Sequence, residues 1–179
     1  MGIKFYDKEL LQIAADQSGI NDELFVRYDE NLDNRWYAKN TVRYGEVVGP
    51  ADKGFTSKSN LYNYQAKVVR WLANHESCVI IGRAANYILR NEPNVISVNI
   101  QAPLDVCILS AMSRLKYNKE DATKYVYSIN QKRAQFYEAF TGHNWLDPDF
   151  YDLYLNSARL GEDKCIQLIK DCIKLKMKL

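Results

Sequence analysis

The sequence is short of the residues that would commit it to a metal, a disulfide scaffold or a membrane. Its two histidines, His75 and His143, stand alone, and its four cysteines (Cys78, Cys107, Cys165, Cys172) include no CxxC pair. Neither set has the spacing of a zinc or redox site, so no metal is expected. The cysteines read as reduced, buried small hydrophobes of a cytoplasmic protein. No apolar run approaches the ~20 residues that span a bilayer, and no signal peptide is expected before the first helix. A formal net charge of +2 is too small to call for nucleic acid or an anionic membrane, and the thirteen tyrosines are not interleaved with a basic stripe. With 47% apolar and 26% charged residues over 179 positions, a single folded domain, 1–179, is expected rather than a disordered chain.

What is present is an alternation of strand and helix patterns around Ser77–Arg83. This stretch is a short apolar run, β-branched at Val79, Ile80 and Ile81, that stops at Gly82 and is followed at once by Arg83. Such a run between amphipathic segments predicts a strand buried on both faces of a parallel sheet. Ligands of open α/β sheets bind beyond the carboxyl ends of such strands. There Gly82 would permit a close approach, and Arg83 would offer a forked donor to a phosphate or carboxylate. A plain Gly-Arg turn, with Arg83 paired to a surface acid, fits the same residues.

Upstream, Ile3–Tyr6 is a short extended candidate, followed by a helix over Lys8–Gln17 with Asp7 as N-cap and Gly19 as stop signal. Asn21 to Glu23 opens a second helix with acids in its first turn. Asn31–Lys58 is polar and weakly periodic and predicts a loop or mobile flap. Within it, Gly49 to Thr56 has the glycine spacing and terminal threonine of a Walker A loop. Phe55 stands where the lysine belongs, Pro50 removes a backbone donor, and only Glu46 to Val48 could form a preceding strand, so the match is read as a coincidence.

Ser59–Asn74 predicts a helix with Leu61, Tyr64, Val68 and Leu72 on one face. A short helix at Ala84–Arg90, a strand at Val95–Ile100, a helix that starts at Ala102–Asp105, runs to about Leu115 and carries Arg114 in its last turn, and a strand at Tyr151–Asn156 follow. The last helix covers Glu162–Lys176. In the long helix Lys119–Thr141, Ala122, Val126, Ile129, Arg133, Phe136 and Phe140 recur at steps of three and four. Arg133 in that apolar stripe is either a snorkelling or ion-paired arginine, or a cation aimed inward at an anionic ligand. The alternation implies an α/β fold, a parallel sheet layered by helices.

Phe5–Leu11, Cys78–Arg83, Lys132 and Arg133 with Tyr137, Thr141 with Gly142, Trp145, and Tyr151–Leu153 with Asn156 and Ser157 together resemble the cytidylate kinase-like family. The resemblance runs in order from Ile3 to about Lys170 and leaves Asn31–Lys58 uncovered. It implies a P-loop nucleoside-monophosphate-kinase-like fold, with a lid-like helical region at about 114–148. The implied activity is phosphoryl transfer from ATP, with Mg²⁺, to a pyrimidine nucleoside monophosphate of the CMP/dCMP class. The expected partner is therefore a small nucleotide, with neither nucleic acid nor membrane. Tyr6 and Asp7 would sit at the start of the monophosphate-binding helices, and Arg83 would grip the acceptor phosphate. Arg133, next to Lys132, would fold over the phosphates from the lid, and Arg114 would contact phosphate at the lid entry. Arg83 and Arg133 are the implied catalytic cations, because phosphoryl transfer depends on positioned positive charge more than on a nucleophile.

One departure stands out. The family opens with a strand and a glycine-rich phosphate loop, whereas this sequence starts where the family's second strand starts. Cofactor-binding residues are accordingly unknown, and impaired turnover is expected of this chain. An N-terminally shortened polypeptide is the favoured account, with Met1 standing before Gly2 and Ile3 where relatives often carry Leu-Gly-Ile or Leu-Gly-Val. A non-catalytic nucleotide-binding or regulatory member is the second. In the third, Gly45–Gly49 or a second subunit fills the strand position. In the related kinases that strand lies between those matching Cys78–Ile81 and Val95–Ile100, so its loss would uncover backbone edges and favour homo-oligomers.

Overall fold

A β-branched run and a tyrosine-bearing run form the first sheet. In the computed structural model, which describes residues 2–30 and 42–177, β1 (Lys4–Tyr6) and β2 (Cys78–Ile80) pair in parallel, with Phe5 opposite Val79. The Ile81 amide continues the ladder to the Tyr6 carbonyl at 2.9 Å. The chain divides into two compact units, Met1–Leu89 with Phe136–Gly142 and Arg90–Gln135 with His143–Leu179. This sheet belongs to the first.

Helix α1 (Glu9–Ser18) follows β1 and stops at Gly19, whose left-handed φ of 70° lets its amide reach the Ala15 carbonyl at 2.9 Å. Asp7 does not cap it, contrary to expectation. Lys8 holds the N-cap position without a side-chain bond, and the Asp7 amide donates to Glu9 Oε2 at 3.1 Å. Helix α2 (Asp22–Glu30) is opened by Asn21 Oδ1, which accepts the Glu23 amide at 2.8 Å. Helix α3 (Lys58–His75) starts at Ser57, whose hydroxyl accepts the Asn60 amide. Leu10, Leu11, Ala14, Phe25, Leu61, Val68 and Leu72 build the core of this unit. Each such leucine contributes about 2 kcal/mol by leaving water.

Two expectations fail in this unit. The β2 strand is not buried on both faces: Phe5 is 63% exposed, Val79 51% and Ile81 47%. A two-stranded parallel pair covered only on the Tyr6 side leaves its other face open, whatever its hydrophobicity. Nor is the described part of Asn31–Lys58 a loose flap; residues 31–41 lie outside the described residues. Residues 46–49 form no strand, so Gly45–Gly49 does not take a sheet position. Instead α3 clamps the segment with polar side chains. Asn60 Oδ1 accepts the Val48 amide at 2.9 Å, and its Nδ2 donates to the Val48 and Phe55 carbonyls at 3.1 and 2.7 Å. Asn63 Oδ1 accepts the Gly45 amide at 3.1 Å, and its Nδ2 donates to the carbonyls of Arg43 and Glu46.

In the second unit, β3 (Val98–Gln101) and β4 (Leu153–Asn156) pair in parallel from Val98 opposite Leu153 to Gln101 opposite Asn156. The strands among the described residues thus form two parallel pairs, not one continuous sheet. Helix α4 (Ala85–Ile88) closes the first unit's main segment. Helices α5 (Leu104–Leu115), α6 (Lys119–Thr141), α7 (Ser157–Leu160) and α8 (Glu162–Met177) follow in order, with α6 ending in the first unit. Ala122 and Val126 of α6 bury against Cys107, Ile108 and Met112 of α5. No described helix is long and apolar enough to cross a membrane.

Ser97 is lost from the expected strand Val95–Ile100 because it braces β4. Its amide donates to Asp152 Oδ2 at 2.8 Å, while Lys176 Nζ reaches Asp152 Oδ1 at 2.8 Å and the Val95 carbonyl at 2.7 Å. Burial alone would raise the Asp152 carboxyl, but the bonds from Lys176 and Ser97 outweigh it and hold it below the usual aspartate value. A depressed folded-state value contributes stability above the unfolded aspartate value of about 4, lost as pH falls through the folded one. Urea midpoints of Asp152→Asn are therefore expected to change less than the parent's below about pH 4. Equal acid sensitivity of the two proteins would remove Asp152 from the account.

Candidate functional site

The turn after β2 is a run of left-handed backbone. Gly82, Arg83 and Ala84 have φ values of 73°, 56° and 52°, three left-handed residues in succession. Glycine adopts this freely, but Arg83 and Ala84 each cost about 1–2 kcal/mol there. The Ala85 amide closes the turn on the Gly82 carbonyl at 3.0 Å. Strain of this kind collects at functional sites, where surrounding structure holds it in place.

The turn stands at the carboxyl end of a parallel pair, and three of the expected site residues meet there. Arg83 Nη2 lies 3.7 Å from Asp7 Oδ1, with the Arg83 side chain only 11% exposed and Asp7 half in solvent. Burial pulls the guanidinium below its ordinary value, and Asp7 works against that. The distance suits an ion pair but exceeds a hydrogen bond. Tyr6, at the end of β1, is buried, and its hydroxyl donates to Glu76 Oε1 at 2.7 Å. That bond foremost, with burial, pushes the Tyr6 phenol up to about 12, so it stays a neutral donor. Three residues beyond Arg83, Asn86 Nδ2 donates to the hydroxyl of buried Tyr137 at 3.0 Å, and Thr141 Oγ1 bonds back to the Tyr137 carbonyl. A forked cation held by a carboxylate at the ends of two parallel strands is suited to an anionic group such as phosphate.

The other expected site residues, Arg114 on α5 and Lys132 and Arg133 on α6, belong to the second unit. Arg114 and Arg133 are exposed and Lys132 is half-buried. The apolar stripe that seemed to enclose Arg133 is two shorter faces. Ala122 and Val126 pack on α5, whereas Phe136 and Phe140 pack on Tyr62 in the first unit. Arg133 falls between them in sequence and faces solvent, so it is neither a buried ion pair nor a cation enclosed by the stripe. The glycine-spaced turn 49–56 also fails as a phosphate cradle. The amides of Asp52, Phe55 and Ser57 bond the carbonyls of Gly49, Asp52 and Gly54, and the Gly54 amide bonds Asp52 Oδ1 at 2.6 Å.

A model of the cytidylate kinase-like family matches residues 1–159. The chain belongs to that family. Its fold is shared by the crystal structure of an uncharacterized protein from Eubacterium ventriosum, with a TM-score of 0.63 and 20% identity over 96% of this chain and 84% of that one. No curated protein matches the chain. Membership of the cytidylate kinase-like family points to a kinase-like nucleotide phosphotransferase.

Within that family setting, several residues of the first unit were missed from sequence. Glu76 precedes β2 without any motif and is defined only by its bond to Tyr6. Asn60, Asn63 and Gln65 are buried on α3, beside the apolar face of Leu61, Tyr64, Val68 and Leu72. Tyr62 is equally buried, stacked on Phe140 at 3.8 Å between ring centroids.

Proposed function

We propose that this chain binds a pyrimidine nucleoside monophosphate of the CMP/dCMP class as the acceptor of a phosphoryl group from ATP, on a P-loop nucleoside-monophosphate-kinase-like fold. The observation that carries the reading is Arg83, a largely buried guanidinium in a strained left-handed turn, held opposite Asp7 at the carboxyl ends of β1 and β2. Arg83 grips the acceptor phosphate, Asp7 orients the guanidinium, and Tyr6, locked to Glu76, forms part of the same wall. Arg114, Lys132 and Arg133 supply further positive charge toward phosphates, and substitution of each tests that role. Among the described residues no three His, Cys, Asp or Glu side chains converge. Mg²⁺ would enter held mainly by the phosphates of ATP.

A second reading, a nucleotide-binding member without catalysis, is favoured by the turn 49–56, where the Asp52, Gly54 and Phe55 amides are bonded internally. Titration with CMP and separately with ATP-Mg²⁺, followed by thermal melting, tests both. CMP at a hundredfold excess over its Kd is expected to stabilise the chain by about 2.7 kcal/mol, with a much weaker response to ATP. Phosphoryl transfer to CMP then separates catalysis from binding alone. A chain that binds neither nucleotide is not of this function.

A further inference from the structure

The left-handed run through Arg83 and Ala84 persists only where surrounding structure holds it, because such residues relax to the right-handed region when released. Helix α4 does not supply that support from within. It is four residues long, and its N-cap, Ala84, is itself left-handed and forms no side-chain bond. Buried Ala84, Ala85, Ile88 and Leu89 anchor its apolar side. The first side chain after Arg83 that can hydrogen-bond is Asn86, whose Nδ2 donates to the Tyr137 hydroxyl at 3.0 Å. Tyr137 is a firm post for it. The tyrosine is 5% exposed, Thr141 Oγ1 donates to its carbonyl at 2.6 Å, and Phe136 and Phe140 beside it pack on Tyr62 of α3. The turn, Asn86 and Tyr137 all belong to the first unit.

We infer that Asn86 and Tyr137 are positioning residues, and that their hydrogen bond is the strut that keeps the turn left-handed and the Arg83 guanidinium aimed at the acceptor phosphate. Both act through Arg83 and not on the nucleotide. Asn86 lies three residues beyond Arg83, so freeing its side chain frees the first turn of α4 and the strained residues that enter it. A forked grip on phosphate depends on both N–H directions, and a displacement of about 1 Å at a reacting or binding group is enough to lose much of its effect. This inference rests on the function proposed above and adds to it the contact that aims the arginine.

The test titrates CMP and cytidine, which lacks the phosphate, into the parent, Tyr137→Phe and Asn86→Ala, and repeats Tyr137→Phe in an Arg83→Met background. Tyr137→Phe keeps the ring in its packing and removes only the hydroxyl; Asn86→Ala removes the other end of the strut. Each is expected to weaken CMP about tenfold and to leave cytidine affinity unchanged. With Arg83 already replaced by methionine, Tyr137→Phe is expected to cost CMP nothing further, the non-additivity of two residues that act as one. A tenfold loss that persists in the Arg83→Met background overturns the inference, because the strut then acts by another route. Equal losses of CMP and cytidine, or failure of both variants to fold, overturn it as well, since the bond would then serve the fold and not the arginine. Unchanged CMP affinity in both variants overturns it while leaving Arg83 as the phosphate site. A parent that binds CMP no more tightly than cytidine, or binds neither, overturns the phosphate reading of Arg83 and this inference with it.

Discussion

Arg83→Met is expected to weaken CMP binding by about a hundredfold, close to 3 kcal/mol, while leaving the affinity for cytidine unchanged. The guanidinium is the only large change, since methionine at a φ of 56° keeps the left-handed strain of the turn. Isothermal titration with the two ligands isolates the phosphate, because cytidine presents base and sugar alone. Arg83→Lys retains a charge without the fork and is expected to recover only part of the loss. Arg83→Gly gives a complementary readout. It relieves about 1 kcal/mol of backbone strain and so is expected to raise the denaturation midpoint, yet it loses CMP binding as Arg83→Met does. A variant that loses stability and affinity together would mean that Arg83 serves the fold and not the ligand. Retention of CMP affinity in Arg83→Met would remove this residue from the site altogether.

The legible part of this chain was the part written in short-range signals. Gly19 and Gly142 stop α1 and α6 in left-handed conformations, as glycines at helix ends do. The apolar runs around Val79 and Ile100 form parallel strands, shorter than their hydrophobicity suggested. Gly82 and Arg83 stood out because a cation directly after a strand-ending glycine is a turn with a charge on it. What stayed hidden depended on partners distant in sequence. Ser97 leaves its strand for Asp152, and Tyr6 meets Glu76 seventy positions away. The stripe on α6 was read as one face because periodicity reports which residues share a side, and is silent on whether one partner covers all of them. The outward faces of Phe5, Val79 and Ile81 show the same limit: an apolar run predicts burial only where something lies against it.

The largest expected loss of stability sits on α3, at a residue whose type suggested a surface position. Asn60 is 0% exposed and makes three bonds to the backbone of residues 48 and 55, besides the cap of its own amide on Ser57. Asn60→Ala would leave the Val48 amide and the carbonyls of Val48 and Phe55 to seek other partners, of which Tyr64 Oη already serves Val48 weakly at 3.4 Å. Each buried polar group deprived of its partner costs about 1–3 kcal/mol, so a loss of about 3 kcal/mol is expected after water reaches part of the loop. Asn60→Asp keeps the acceptor for the Val48 amide and removes both donors, turning two attractive contacts with carbonyls into repulsive ones, and is expected to cost at least as much. Urea denaturation measures the loss, and amide exchange at Val48 locates it. Faster exchange at Val48 with unchanged protection in α1 would show a clamp released from an otherwise intact unit, whereas an unchanged denaturation midpoint would mean that the loop holds without Asn60.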